Sequence, residues 1–203
     1  PEDDVNSINY IKCIIAPTLY LAHKRTAFDT LLTIPLPDRD IAYFNICNFI
    51  LKMIIPHDPY DDFINSRKDI KYSDLQDVCE ILEYIEDDCI LYSIISDIAD
   101  CMADNKALFT REQRDYIAAQ LVKIIENQLP NLKFIKHDGY KIISLAQAYR
   151  ISKRQREDWE NLITVAYTIP NIADRAYVLS VLASVNNLPI SRRKDLLKDA
   201  RKC

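Results

Sequence analysis

Glycine is almost missing from this chain: Gly139 is the only one in 203 residues. Loops that cradle phosphates need several glycines at fixed offsets, so nucleotide-binding folds of that kind have no material here. Tight two-residue hairpins are disfavoured for the same reason. Long apolar runs are missing too, since no stretch reaches the roughly 20 residues that a membrane helix requires. The first residues, Pro1, Glu2, Asp3 and Asp4, are the reverse of a signal peptide's basic start. These absences lead us to expect a soluble, cytoplasmic protein with no membrane partner. The six cysteines, at 13, 47, 79, 89, 101 and 203, form no C-x-x-C pair. Several lie within apolar runs, which suits reduced, buried residues better than a zinc site or a disulfide framework.

Charge is uneven along the chain. Residues 1–110 hold 9 Lys/Arg against 20 Asp/Glu, and residues 111–203 hold 17 against 10. One end is acidic and the other basic, so the two ends are suited to different partners or neighbouring domains. Nine prolines punctuate the sequence and fall between apolar runs. That is the grammar of helices joined by short turns.

Repetition is the strongest signal. Thr33-Ile-Pro precedes Asp38-Arg39, and Thr168-Ile-Pro precedes Asp174-Arg175, each pair opening an apolar stretch. Ser73-Asp-Leu-Gln76, Thr110-Arg-Glu-Gln113 and Ser152-Lys-Arg-Gln155 fit the capping box, while Ser191-Arg-Arg-Lys194 keeps only the hydroxyl. An apolar residue stands before the hydroxyl in three of these sites: Phe109, Ile151 and Ile190. The four starts are 37, 42 and 39 residues apart, a spacing that holds two helices and two turns.

Each first helix carries an apolar face at helical spacing: Leu75, Val78, Cys79 and Leu82; Ile117, Leu121 and Ile124; Trp159, Leu162, Ile163 and Ala166. Second helices, at 88–103 and 171–185, are more apolar around their circumference. In the latter, Ile172, Ala176, Leu179 and Ala183 make one stripe, and Val178, Val181 and Val185 another. Two stripes suit a helix packed between neighbours. Upstream, residues 5–16 read as a second helix, Pro17-Thr18 as the start of a first helix reaching Thr33, and Asp38 to Ile55 as a second. Residues 56–72 read as a long inter-repeat loop.

The expected fold is therefore all-α, a single domain over 1–203 built as a right-handed solenoid of about four to five antiparallel helical hairpins. The half-hairpins at both ends suggest a segment of a longer protein. This pattern resembles the HEAT-like and tetratricopeptide-like helical repeat superfamilies, and the period near forty suits HEAT repeats. The resemblance implies binding of other macromolecules along a curved surface.

Chemistry-bearing motifs are few. His57-Asp58, with His23 and an acid such as Asp97, Asp100 or Asp104, is similar to the ligand set of the all-helical H…HD…D metal phosphohydrolases. Pro56 and Pro59 bracket that pair and argue for an irregular loop instead. His137-Asp138-Gly139 reads as a helix start with Asp138 as N-cap. Asp87-Asp88, after Glu86, reads as another. Lys153, Arg154 and Arg156 recur as Arg192, Arg193 and Lys194 at an equivalent place one repeat later. Cations at a helix start oppose the macrodipole, so these six are the candidate binding residues, a ridge for phosphates or an acidic partner. Of the twelve tyrosines, Tyr43, Tyr92, Tyr140, Tyr149, Tyr167 and Tyr177 lie in expected helices and suit packing within the stack.

No catalytic or cofactor motif stands out, so the reading is a non-catalytic scaffold without cofactor. Its partner is another protein or a neighbouring domain, with a regulatory or sensing role in a larger protein. A nucleic-acid-binding repeat and a metal phosphohydrolase are the alternatives.

Overall fold

A chain with one glycine and few β-turn signals leaves its backbone groups little choice but helices. The computed structural model describes residues 2–54, 72–104, 107–128, 139–152 and 156–203. The protein is all-helical over these residues, with no strand among them. The helices are α1 (Glu2–Ala22), α2 (Lys24–Leu31), α3 (Asp38–Ile54), α4 (Tyr72–Leu82), α5 (Asp88–Asp104), α6 (Arg111–Gln128), α7 (Tyr140–Ile151), α8 (Arg156–Tyr167), α9 (Ile172–Ser184) and α10 (Ile190–Ala200). Most of the expected loop at 56–72 lies outside the described residues.

The first correction concerns Pro17. It does not open a helix but lies inside α1, which runs on to Ala22. A proline cannot donate to the carbonyl four residues earlier, here that of Cys13. Asn45 of α3 supplies the missing donor, its Nδ2 lying 3.3 Å from the Cys13 oxygen. Ala16 and Tyr20, either side of Pro17, are buried, so packing favours continuation of the helix. The break comes instead at His23, whose φ of −153° and ψ of 79° separate α1 from α2.

Helix starts follow local chemistry where the description reaches them. The Thr110 capping box is complete: the Gln113 amide donates to Thr110 Oγ1 at 3.2 Å, and the Thr110 amide donates to Gln113 Oε1 at 2.9 Å. Phe109 before it is buried, as a staple requires. Asn171 caps α9 by accepting from the Ala173 and Asp174 amides, and Asp87 caps α5 by accepting from Cys89 and Ile90. Such a cap is worth about 1 kcal/mol.

Two other starts are displaced. Ser73 stands inside α4, where Tyr72 already belongs to the helix and meets Tyr116 edge-on at 6.3 Å. At α10 the N-cap is Pro189 rather than Ser191, without a side-chain cap bond. The buried residue before that cap is Leu188, and Ile190 is 70% exposed. Of the Ser152 box, Gln155 lies outside the described residues.

The Thr-Ile-Pro phrase is the same joint twice. Thr33 and Thr168 each donate a hydroxyl to the carbonyl three residues back, at 2.6 and 2.7 Å. Ile34 and Ile169 each bond back to the carbonyl three residues earlier, and both side chains are buried. The arginines then diverge. Arg39 reaches Glu86 at 3.1 Å, whereas Arg175 turns back to the Ile169 carbonyl at 3.1 Å.

Packing links alternate helices: α1 lies on α3, α3 on α5, α5 on α7, α7 on α9, and α4 on α6. Sequence neighbours also pack, including α3 with α4, α6 with α7, α8 with α9 and α9 with α10. Paired contacts give the directions. Tyr92 stacks on Tyr140 at 5.1 Å and Arg150 pairs with Asp100 at 2.9 Å, so α5 and α7 run the same way. Arg192 with Glu160, and Asp199 with Tyr167, do the same for α10 and α8, each contact spanning 32 residues. Tyr72 with Tyr116, and Glu83 with Gln128, align α4 with α6.

The core takes every first-helix face read from the spacing, from Leu75 through Ala166. In α9 one stripe departs from expectation. Leu179, Ala183, Val178 and Val185 are buried, but Ile172, the first residue of the helix, is 55% exposed.

Candidate functional site

Of the six candidate cations, the structure uses two inside the fold. Arg192 Nη2 holds Glu160 of α8 at 2.6 Å. Arg193 Nε donates to the Ala183 carbonyl at 2.8 Å, one of the carbonyls that the end of α9 leaves without a helical partner. Lys194 is exposed. Lys153, Arg154 and the side chain of Arg156 lie outside the described residues. The α10 cations therefore tie α8, α9 and α10 together, a use that sequence spacing alone does not distinguish from a phosphate ridge.

The histidine reading falls mostly outside the described residues. His57-Asp58, His137-Asp138 and the side chain of Asp104 lie outside the described residues. His23 is exposed at the α1–α2 break, and Asp100 is paired with Arg150. At the start of α7 the cap position is Gly139. It packs closely, since a Cβ there would lie 2.4 Å from Val178 Cγ2.

Among the described residues, Asp87, Asp88 and Cys89 bring possible metal donors within 4.8 Å of one another. Asp87 Oδ1 is the capping acceptor of α5, and Cys89 Sγ donates to Tyr140 Oη at 3.5 Å. The group is accounted for by the helix start it forms. Cysteines 13, 47, 79 and 101 are buried, and all six carry thiols. Burial pushes the Cys47 thiol well up and that of Cys79 to about 12. Neither is a nucleophile at neutral pH.

No known protein family, curated protein or solved structure matches the chain. The site therefore has to be read from its own surfaces, and two stand out.

The first is the outward side of α1. Ile8, Tyr10, Ile11, Ile14 and Ile15 are each at least 46% exposed, while Asn9, Cys13, Ala16 and Tyr20 face inward. Five large apolar side chains on about two turns of one helix form a patch of the kind that marks interaction surfaces. Periodicity reveals that α1 is amphipathic in neither sense: its apolar residues go all the way round, and this was the available signal.

The second is a groove of about 170 Å³ between α4 and α6. Gln76, Cys79, Glu80 and Glu83 line it from the α4 side, and Tyr116, Gln120 and Ile124 from α6. Those positions follow helical spacing on both elements, so the two parallel helices face each other along the groove. At one rim Lys24 bridges Glu80 at 3.0 Å and Asp77 at 2.5 Å, while Tyr20 donates to Asp77 at 3.0 Å. That network clamps α1 and α2 onto α4. Sequence reasoning missed the groove because neither stripe is unusual by itself.

Deeper in, Asp40 is fully buried in the first turn of α3, accepting from the Glu86 amide at 3.0 Å. Burial raises its carboxyl above the ordinary value, the Glu86 amide bond lowers it, and the Glu86 charge raises it again. Among the described residues no helix is long and apolar enough to cross a membrane.

Proposed function

We propose that this chain is a non-catalytic solenoid of helical hairpins that binds a protein partner or a neighbouring domain of the same polypeptide. The bare apolar side of α1 carries the reading. Its five exposed large apolar residues belong to a helix whose other side is already packed on α3. Covering such a face is what a further helix or a partner protein does in a repeat array. Two observations support the stack itself: α4 and α6, α5 and α7, and α8 and α10 run pairwise in the same direction, and the Thr-Ile-Pro joint recurs with the same bonds.

A photo-reactive residue at position 14, introduced into the protein in its own cells, tests the binding role. Crosslinks to a defined protein, or to another segment of the same polypeptide, lost on adding Ile11→Glu, support it. Crosslinks that Ile11→Glu leaves unchanged count against it. Removing residues 189–203 tests the stack: in an array, amide exchange rises in α8 and α9 and stays the same in α1 to α3. Loss of protection throughout would overturn the solenoid.

A further inference from the structure

We infer that the groove between α4 and α6 receives an arginine side chain of a partner polypeptide. At about 170 Å³ the groove is smaller than the roughly 300 Å³ at which pockets for drug-sized molecules begin, so it suits one side chain better than a cofactor. Its lining is a set of acceptors above an apolar floor. Glu80 and Glu83 supply carboxylates, Gln76 and Gln120 supply amide oxygens, and buried Cys79 and Ile124 lie beneath. No cation is among the described lining residues. Lys24 reaches only Oε2 of Glu80 from the rim, leaving its second oxygen for another donor.

The aromatic wall favours arginine over lysine. Tyr116 is 47% exposed, and its ring meets that of Tyr72 edge-on at 6.3 Å. A guanidinium stacks on such a ring and still presents five in-plane donors to carboxylate and amide oxygens. An ammonium is a compact point charge and meets the same acceptors with less geometric match. Charge complementarity agrees, because the two charged residues of the lining, Glu80 and Glu83, are both carboxylates. The Cys79 thiol, held protonated by burial and by the Glu83 charge, makes this a place for binding and not for covalent chemistry.

The site is separate from the α1 face, so either can fail without the other. Its test is an amide NMR titration of the full 203-residue chain with three blocked tripeptides, Gly-Arg-Gly, Gly-Lys-Gly and Gly-citrulline-Gly. The arginine peptide should give saturable shifts confined to 76–83 and 116–124, with binding about threefold or more tighter than the lysine peptide. The neutral citrulline peptide should give none. Glu83→Gln should weaken arginine binding about tenfold, and Tyr116→Leu should erase the preference for arginine over lysine. Glu157→Gln on α8 and Ile11→Glu on α1 should change nothing. Shifts spread over other acidic surfaces, equal response to arginine and lysine, or indifference to both Glu83→Gln and Tyr116→Leu would overturn the assignment. Should Glu83→Gln disturb the fold, seen as amide changes beyond α4 and α6, the Tyr116→Leu comparison decides alone.

Discussion

Asn45 donates its side-chain amide to the backbone carbonyl of Cys13 at 3.3 Å, four residues before Pro17. The proline removes the helical donor for that carbonyl, and a neighbouring helix replaces it. This bond offsets part of the about 3 kcal/mol that a proline costs in a helix interior, alongside the burial of Ala16 and Tyr20. Asn45→Ala should therefore destabilise the protein by about 1–2 kcal/mol, the cost of leaving a carbonyl without a partner. In a Pro17→Ala background the restored amide can bond Cys13, and the same change should cost about 1 kcal/mol less. Urea unfolding of the four proteins measures the coupling; additive effects would contradict the account.

The only glycine is required by contact and not by backbone conformation. Gly139 has φ −80°, a value open to any residue, but a Cβ there would meet Val178 Cγ2 at 2.4 Å. Val178 is fully buried on α9 and cannot swing aside. Gly139→Ala should cost about 1–3 kcal/mol through overpacking. Adding Val178→Ala should recover part of that cost. Equal losses in the single and double mutants, measured by thermal unfolding, would refute the contact.

Asp40 makes stability depend on acid in an unusual direction. Its folded carboxyl lies above the ordinary value, chiefly through burial, so the native state keeps its proton longer than the unfolded chain. Its contribution is then fully present below the unfolded value and is lost as pH rises through the folded value. Arg39 opposes the shift, while the Glu86 charge adds to it. Asp40→Asn should flatten the stability curve across that window, because an amide carries no charge to bury. Denaturant midpoints from pH 3 to pH 7 give the comparison, and an unchanged slope would sink the prediction.

Thiol reactivity should follow burial. Cys203 is exposed and Cys89 half-buried, whereas Cys13, Cys47, Cys79 and Cys101 are buried. A maleimide should label Cys203 first and Cys89 more slowly. The other four should react only as denaturant opens the helices around them. Burial holds the thiols of Cys47 and Cys79 protonated, so raising the pH to 9 should not expose them to reaction. Peptide mass mapping of the labelled sites shows the order.

Helix identity was legible in the residues themselves. Spacing at three and four residues placed the inner faces of α4, α6 and α8, and a side chain with a local acceptor placed the cap at Thr110. Such signals survive in sequence because both partners lie within one helical turn. The duplicated Thr-Ile-Pro joint was legible for the same reason: its hydroxyl bonds span three residues.

What the residues could not settle were choices between distant partners. Pro17 looks like a helix start until Asn45, 28 positions later, is seen to satisfy the carbonyl it strands. Arg192 and Arg193 stand in the sequence as cations at a helix start, and only the fold shows that Glu160 and the end of α9 lie within their hydrogen-bond reach. The α4–α6 groove has no signature in either helix, since a cleft is a property of the space between two stripes. Local hydrogen bonding and periodicity thus determined which segments are helices. Which side chains remain available to a partner was decided by tertiary packing, because the same arginine or isoleucine is spent or exposed according to what lies across from it.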